Sequence, residues 1–462
     1  MSQNVVRNFY KSARYVTWSS GLRWKSSNPR SVLKLADRGM FKDIFPGNSS
    51  TEVDTLLKSS SQCVYAGFDP TADSLHVGNL LVLVNLLHWQ KRGHQVVALI
   101  GGATGHIGDP SERSTERPSL SSELVFKNAD SIKENIENVF ENFRKHFSDG
   151  CELHPPKIVN NYDWYCKMNS VEFVGYVGRH FRMGTMLGRD SVSQRLKSER
   201  GMSFTEFTYQ IFQAYDWLHL YRAHNCRFQI GGSDQMGNIV SGHDLISRVE
   251  DVPVYGITLP LIKSEAGDKF GKSAGNAVWL SSVKTSPYDL YQFFVRTPDA
   301  DVEQLLKLFT FNTLREIKEI MDKHKQEPSK WIAQKVLAQD VTTLVHGEEG
   351  LKMAQLTSTL LHGSDPNKLA ELTSEQALQV FRGAPLKKMI LQPGMTFVDV
   401  STAAGCFPTE SDARRIISAG GFTVNYQKSR NPDEVFQVSH ILPSNFSLLR
   451  VGKKNFYLVE WV

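Results

Sequence analysis

Two short stretches combine residue types suited to holding phosphate. The first, YAGFDPTADSLHVGN, sets His76, Gly78 and Asn79 where an apolar helical run begins. Free backbone N–H groups and the helix dipole favour an anion at such a place, and an imidazole N–H can add a hydrogen bond. The second, KSEAGDKFGKSAGN, sets Lys269 and Lys272 on either side of Gly271. A loop of that composition can lay two ammonium groups on a polyphosphate. Each stretch alone also has an ordinary explanation. His76 can serve as a helix cap with Gly78 relieving crowding, and the lysine loop can be a solvated turn. Neither G-x-G-x-x-G nor G-x-x-x-x-G-K-[ST] occurs in the first stretch, so dinucleotide and P-loop chemistry do not follow.

A third stretch, FTEFTYQIFQAYDWLHLY, is apolar enough to predict a buried helix, yet Tyr209, Gln213 and Asp216 fall at i, i+4 and i+7 on one face. Buried polar groups need partners. Either Asp216 pairs with an arginine and Gln213 with a neighbouring backbone, or the stripe lines a small pocket whose missing partners belong to a ligand.

These residues need a scaffold, and the flanking pattern supplies one. Val64 to Phe68 reads as a buried strand. Leu80, Leu83, Val84 and Leu87 recur at helical spacing until Gly93 caps the helix, and HQVVALIGG gives a second strand. Strand, helix and strand in this order form a parallel β-α-β unit, with the polar cluster at the carboxyl end of the first strand where such sheets bind ligands. The chain has 462 residues, 40% hydrophobic and 22% charged, which suits two to four domains of a soluble globular protein. The balance of 53 Lys and Arg against 48 Asp and Glu permits an anionic partner without demanding one. Five scattered cysteines suggest neither a zinc site nor a disulfide framework, and no apolar run is long enough for a membrane span. Residues 1–36 are basic, rich in serine and free of Asp and Glu, the composition of a mitochondrial transit peptide.

The pairing of HVGN with KFGKS resembles the double signature of class I aminoacyl-tRNA synthetases. With GGATGHIGDP, YQIFQAYD and QIGGSDQMGN present in order, the chain from about residue 60 onward resembles the tyrosyl-tRNA synthetases of bacterial and mitochondrial type. The resemblance implies an α/β fold: a Rossmann-like catalytic domain over 37–285, split by a mostly helical insertion over about 110–227 that forms a homodimer interface. A helical domain over 286–385 and a small α+β domain over 390–462, similar to the S4 type of RNA-binding module, would follow.

The implied activity is formation of tyrosyl-adenylate from L-tyrosine and ATP with Mg²⁺, then transfer to the 3′ end of tRNA(Tyr) in the mitochondrial matrix. No tightly bound metal and no protein nucleophile are expected. By resemblance, Tyr65 and Asp216 hydrogen-bond the phenol, while Asp109, Tyr209 and Gln213 hold the ammonium group. Gly67, Asp69, Thr71, His76, Gly78 and Asn79 belong to the ATP side, with Gly232, Asp234 and Gln235 at the ribose and adenylate. Lys269, Lys272 and Ser273 would handle phosphates, and Arg113 and Arg117 could join the lysines in clamping pyrophosphate. Arg414, Arg415, Lys428 and Arg430 are the candidate tRNA contacts. Two other readings stay open: a synthetase-derived organellar RNA-binding or splicing factor, and a tryptophanyl-tRNA synthetase. Asn79 departs from the class pattern, which most often has a second histidine there.

Overall fold

Short runs of Val, Ile, Leu and Ala bounded by Gly, Pro or Asn become buried strands when helices cover both faces of a sheet. The computed structural model describes residues 16–17, 30–111, 115, 117–197, 201–262, 272–273, 276–363 and 365–462. They fall into two units, Met1–Gly347 and Glu348–Val462. In the first, β1 (Val16–Thr17), β2 (Asp43–Phe45), β3 (Cys63–Phe68), β4 (Gln95–Ile100), β5 (Lys157–Asn160), β6 (Cys226–Gly232) and β7 (Tyr255–Leu259) make one sheet in the order β1-β2-β7-β6-β3-β4-β5. β3 pairs in parallel with β4 on one side and β6 on the other, so Tyr65 stands opposite Val97 and Gln229. The winding therefore reverses at β3. A crevice opens at the carboxyl ends of β3 and β6, where ligands enter such sheets.

The crossover from β3 to β4 is α1 (Val77–Lys91), which is apolar on every side because it is enclosed. Leu80, Leu83, Leu86, Leu87 and Trp89 are fully buried, and each large apolar side chain contributes about 1.5–3 kcal/mol on burial. The helix stops at Gly93, whose left-handed φ of 80° suits glycine. α2 (Ser122–His146) is amphipathic, with Val125, Ile132, Ile136, Val139 and Phe143 inward. α3 (Phe204–His224) starts at Ser203, whose side chain accepts the Glu206 N–H, and α4 (Met236–Glu250) follows β6.

The segment from 110 to 227 is mostly helical as expected, but it also carries β5, which joins the sheet beside β4. Its four residues are all half-buried, too short and too mixed a run to stand out in the sequence. Most of residues 1–36 lies outside the described residues. The last residues of the expected 1–36 segment nevertheless pack in the fold. Val32, Leu33 and Leu35 are fully buried, and His94 Nε2 bonds the Arg30 carbonyl at 2.7 Å.

The helical stretch expected over 286–385 is divided between the units. Pro287–Val295, Asp299–Phe309 and Leu314–Gln326 lie in the first, and the run Ile332–Gly363 breaks at Gly347, where φ is 70°. The second unit holds a five-stranded sheet built from Leu386–Met389, Phe422–Val424, Gln427–Lys428, Phe446–Val451 and Asn455–Trp461. Helices Phe397–Ala403 and Glu410–Ser418 pack with it around Phe397, Phe407, Phe422 and Trp461. This α+β sheet starts at Leu386, a few residues before the expected boundary at 390.

Candidate active site

At the carboxyl ends of β3 and β6 lies a cavity of about 530 Å³. Tyr65, Gly67, Asp69, Thr71, His76, Gly78 and Asn79 reach it from β3 and the start of α1, and Tyr209, Gln213 and Asp216 from one face of α3. Asp109 and Arg117 line it from the segment after β4, and Gly232, Asp234 and Gln235 from the end of β6. Groups from stretches far apart in sequence thus share one space, as the helical spacing and the strand ends predicted. Lys269 and Arg113 lie outside the described residues, as do the side chains of Lys272 and Ser273.

Tyr65 and Asp216 are two buried polar residues that line this cavity. Tyr65 is 1% exposed and its hydroxyl has no protein partner among the described residues. Asp216, 2% exposed, pairs with no arginine among the described residues. Its Oδ1 accepts the Trp164 indole N–H at 3.0 Å and its Oδ2 the Asn161 amide at 3.0 Å. Burial pushes Asp216 up to about 7 against the pull of these donors, and raises the Tyr65 phenol well above its ordinary value. Gln213, half-buried on the same helix face, lines the cavity and makes no hydrogen bond among the described residues.

The network continues inward. Asn161 also donates to Thr104 Oγ1 at 3.0 Å, Thr104 donates to Asp69 Oδ1 at 2.7 Å, and the Tyr209 hydroxyl donates to Asp69 Oδ2 at 2.8 Å. Burial lifts Asp69 to about 6, and nearby Asp109 adds to the rise. Gly101 makes the Asp69 and Thr104 contact possible, because a Cβ there would come 2.0 Å from Asp69 Oδ1. Asp109 in turn accepts the Ser111 N–H at 2.9 Å and the Gln235 amide at 2.7 Å, which ties it to the GGSDQ element. Among the described lining residues, Asp69, Asp109, Asp216 and Asp234 face a single guanidinium, that of Arg117. Such a field attracts an ammonium group.

At the other end His76 caps α1. Its Nδ1 accepts the Asn79 N–H at 3.3 Å, and Asn79 Oδ1 accepts the His76 N–H at 3.1 Å. With Nδ1 acting as acceptor, the ring proton sits on Nε2. The cap and the phosphate-donor readings of His76 are therefore compatible. Gly78 does relieve crowding: a Cβ there would lie 2.8 Å from His76 Cε1.

Thr104, Asn161 and Trp164 are functional neighbours that sequence reading missed. Thr104 stood in the GGATGHIGDP motif without a role, and Asn161 follows β5, whose weak apolar signal hid it. In the second unit, Arg414 is ion-paired with Glu410 and Asp433, and Arg415 with Asp412. Lys428 and Arg430 instead converge over Gly420, where a Cβ would meet Lys428 Nζ at 3.0 Å and Arg430 Nε at 3.3 Å.

Comparison with known proteins agrees with this geometry. A family model described as tRNA synthetases class I (W and Y) matches residues 58–362, and one described as the tyrosine–tRNA ligase SYY-like C-terminal domain matches residues 376–459. The chain is 54% identical over 443 residues to the mitochondrial tyrosine–tRNA ligase of Drosophila melanogaster, covering 95% of this chain and 96% of that protein. To the mitochondrial tyrosine–tRNA ligase of Homo sapiens it is 46% identical over 450 residues, covering 96% and 94%. A C-terminally truncated mitochondrial tyrosyl-tRNA synthetase from Aspergillus nidulans superposes with a TM-score of 0.65 at 33% identity, covering 71% of this chain and 92% of that one.

Proposed function

The chain belongs to the class I tRNA synthetases, among the tyrosine–tRNA ligases, and from this premise we propose how its residues divide the work. It is a mitochondrial tyrosine–tRNA ligase. The tyrosine carboxylate attacks the α-phosphate of ATP, pyrophosphate leaves, and a terminal ribose hydroxyl of tRNA(Tyr) displaces AMP from the adenylate. Catalysis is positioning and charge stabilisation by groups that are donors and cations rather than nucleophiles.

The observation that carries the tyrosine assignment is the buried Tyr65 hydroxyl, without a protein partner among the described residues, in the same cavity as Asp216. A phenol donates to Asp216 and accepts from Tyr65. Phenylalanine leaves the buried Tyr65 hydroxyl unpaired and offers no donor to Asp216, a large penalty. Asp109, Tyr209 and Gln213 take the ammonium group, and Asp69 holds Tyr209 in place while facing the nucleotide. Thr71, His76 and Asn79 stand at the phosphates, Gly67 and Gly78 let the nucleotide approach the backbone, and Gly232, Asp234 and Gln235 take the ribose. Lys269, Lys272 and Arg113 add positive charge to that of Arg117 at the phosphates, and Ser273 offers them a hydroxyl. Mg²⁺ enters with ATP, as part of the MgATP substrate.

Lys428 and Arg430 are the preferred phosphate contacts for tRNA, since the acidic partners of Arg414 and Arg415 occupy those guanidinium groups. A homodimer interface over the insertion is supported by the exposure of Val171, Val174, Met183 and Phe204, at 77%, 67%, 59% and 79%. The transit peptide ends before Arg30. The decisive experiment is ATP–pyrophosphate exchange with tyrosine, tryptophan and phenylalanine: exchange with tyrosine alone is expected. Exchange with tryptophan, or with none, would overturn the assignment.

A further inference from the structure

The lysine loop and the His76 motif are joined through the protein itself. The strand Lys272–Ser273 pairs antiparallel with Asn276–Ala277, Lys272 standing opposite Ala277. Two residues on, Trp279 forms an isolated antiparallel bridge with His76. The Val77 N–H donates to the Val278 carbonyl at 3.0 Å and the Leu280 N–H to the Leu75 carbonyl at 2.8 Å. The Trp279 ring lies on the cavity wall, 6.3 Å from the His76 ring centre to centre. Lys284 Nζ sits 4.7 Å from the centre of the Trp279 ring and 2.5 Å from Asp73 Oδ1, a carboxylate three residues before His76.

An ion pair with side chains 33% and 47% exposed adds little stability, and one ammonium over an indole adds a little more. What the arrangement does supply is register. The residues that flank His76 are laced to the strand next to the lysine loop, and Lys284 holds the indole against them from the other partner, Asp73.

We infer that Trp279, braced by Lys284 and Asp73, is a positioning residue for adenylate formation: it sets the root of the lysine loop relative to His76, so that both arms meet one triphosphate. This rests on the phosphate-handling roles proposed above for His76 and Lys272. Because a group misplaced by a fraction of its reach loses rate rather than ground-state binding, the effect belongs in kcat for exchange and not in tyrosine affinity.

The test is a double-mutant cycle on the full-length enzyme, read by the kcat and the KM for ATP in pyrophosphate exchange, with tyrosine affinity measured without ATP. Trp279→Ala should lower kcat by about tenfold or more and leave tyrosine affinity within about twofold. Trp279→Phe, which keeps an aromatic face, should restore most of the loss. In a Lys272→Ala background, Trp279→Ala should cost no more than about threefold, because the loop it positions no longer carries the ammonium group. Lys284→Met, a surface change that keeps the apolar stem, should act in the same direction and show the same non-additivity, and it decides the matter if Trp279→Ala does not fold. Additive losses, or a parallel loss of tyrosine affinity, would overturn the inference. If Lys272→Ala alone leaves exchange unchanged, it is the underlying role of Lys272 that fails instead.

Discussion

The indole N–H of Trp164 donates to Oδ1 of Asp216 at 3.0 Å, so the carboxylate expected to read the substrate phenol is itself held by a residue outside every recognised motif. Trp164 and Asn161, with Tyr165 beside them, offset the burial of that charge. Trp164→Phe should therefore push Asp216 further up and reduce the preference for tyrosine over phenylalanine by about tenfold, the worth of one hydrogen bond to a charged group. Asp216→Asn should reduce it more, because an amide pairs a phenol less strongly than a carboxylate does. Ratios of kcat/KM for the two amino acids check both. An unchanged ratio in Asp216→Asn would remove Asp216 from the phenol site.

Binding and stability should respond to pH with opposite signs. Burial lifts Asp216 to about 7 and Asp69 to about 6. Folded-state values above the unfolded ones mean that the native state holds the extra protons, so their contribution to stability is complete below about pH 4 and is lost as pH rises through 6 and 7. For a fully buried Asp216 the swing is on the order of 4 kcal/mol. Phenol recognition needs the ionised carboxylate and should improve over the same range. Denaturant midpoints at pH 5.5 and 8 should fall with pH, and fall less steeply in Asp216→Asn. The tyrosine to phenylalanine ratio of the wild type should rise.

The site was legible where one element carries several groups. Tyr209, Gln213 and Asp216 announced themselves by helical spacing on an otherwise apolar helix, and the strand before DPTADSLHVGN announced the carboxyl end at which they meet. Asn161, Thr104 and Trp164 act through contacts made only when β4, β5 and α3 assemble, with 55 residues separating Asn161 from Asp216. No local pattern encodes that meeting. Composition misled at the N-terminus for a related reason. Basic residues and the absence of acids dominate the first 36 positions, while Val32, Leu33 and Leu35, which are fully buried there, matter only through what covers them.

The break at Gly347 predicts where the chain can be shortened. A cut near residue 390 would remove most of the second unit's sheet but leave Leu386–Met389 without its partner strand Asn455–Trp461. A chain ending at Gly347 keeps the first unit whole, and the Aspergillus nidulans relative was solved as a C-terminally truncated protein. This shorter chain should retain pyrophosphate exchange within about threefold and lose aminoacylation of tRNA by about a hundredfold or more, as expected when phosphate contacts dominate RNA affinity. Equal losses in the two assays would place the second unit in the catalytic machinery.

Asn79 gives the sharpest test of the nucleotide end. Its Oδ1 accepts the His76 backbone N–H while the His76 ring accepts the Asn79 backbone N–H, so each side chain is held by the other residue's main chain and His76 Nε2 is left carrying the proton. The position asks for one acceptor toward the helix start and one donor toward the nucleotide, and an amide supplies both from a single planar group. Histidine can do the same with its two ring nitrogens, so Asn79→His should be nearly neutral in exchange. Alanine supplies neither. Asn79→Ala should cost on the order of 1–3 kcal/mol in transition-state stabilisation, from the lost donor toward the nucleotide and the lost acceptor for the His76 backbone N–H. Asn79→Asp separates the two contributions: it keeps the acceptor and the cap but replaces the donor with negative charge beside phosphate, so it should be at least as damaging as alanine while α1 remains intact. An aspartate variant with wild-type exchange would mean that Asn79 serves the helix alone.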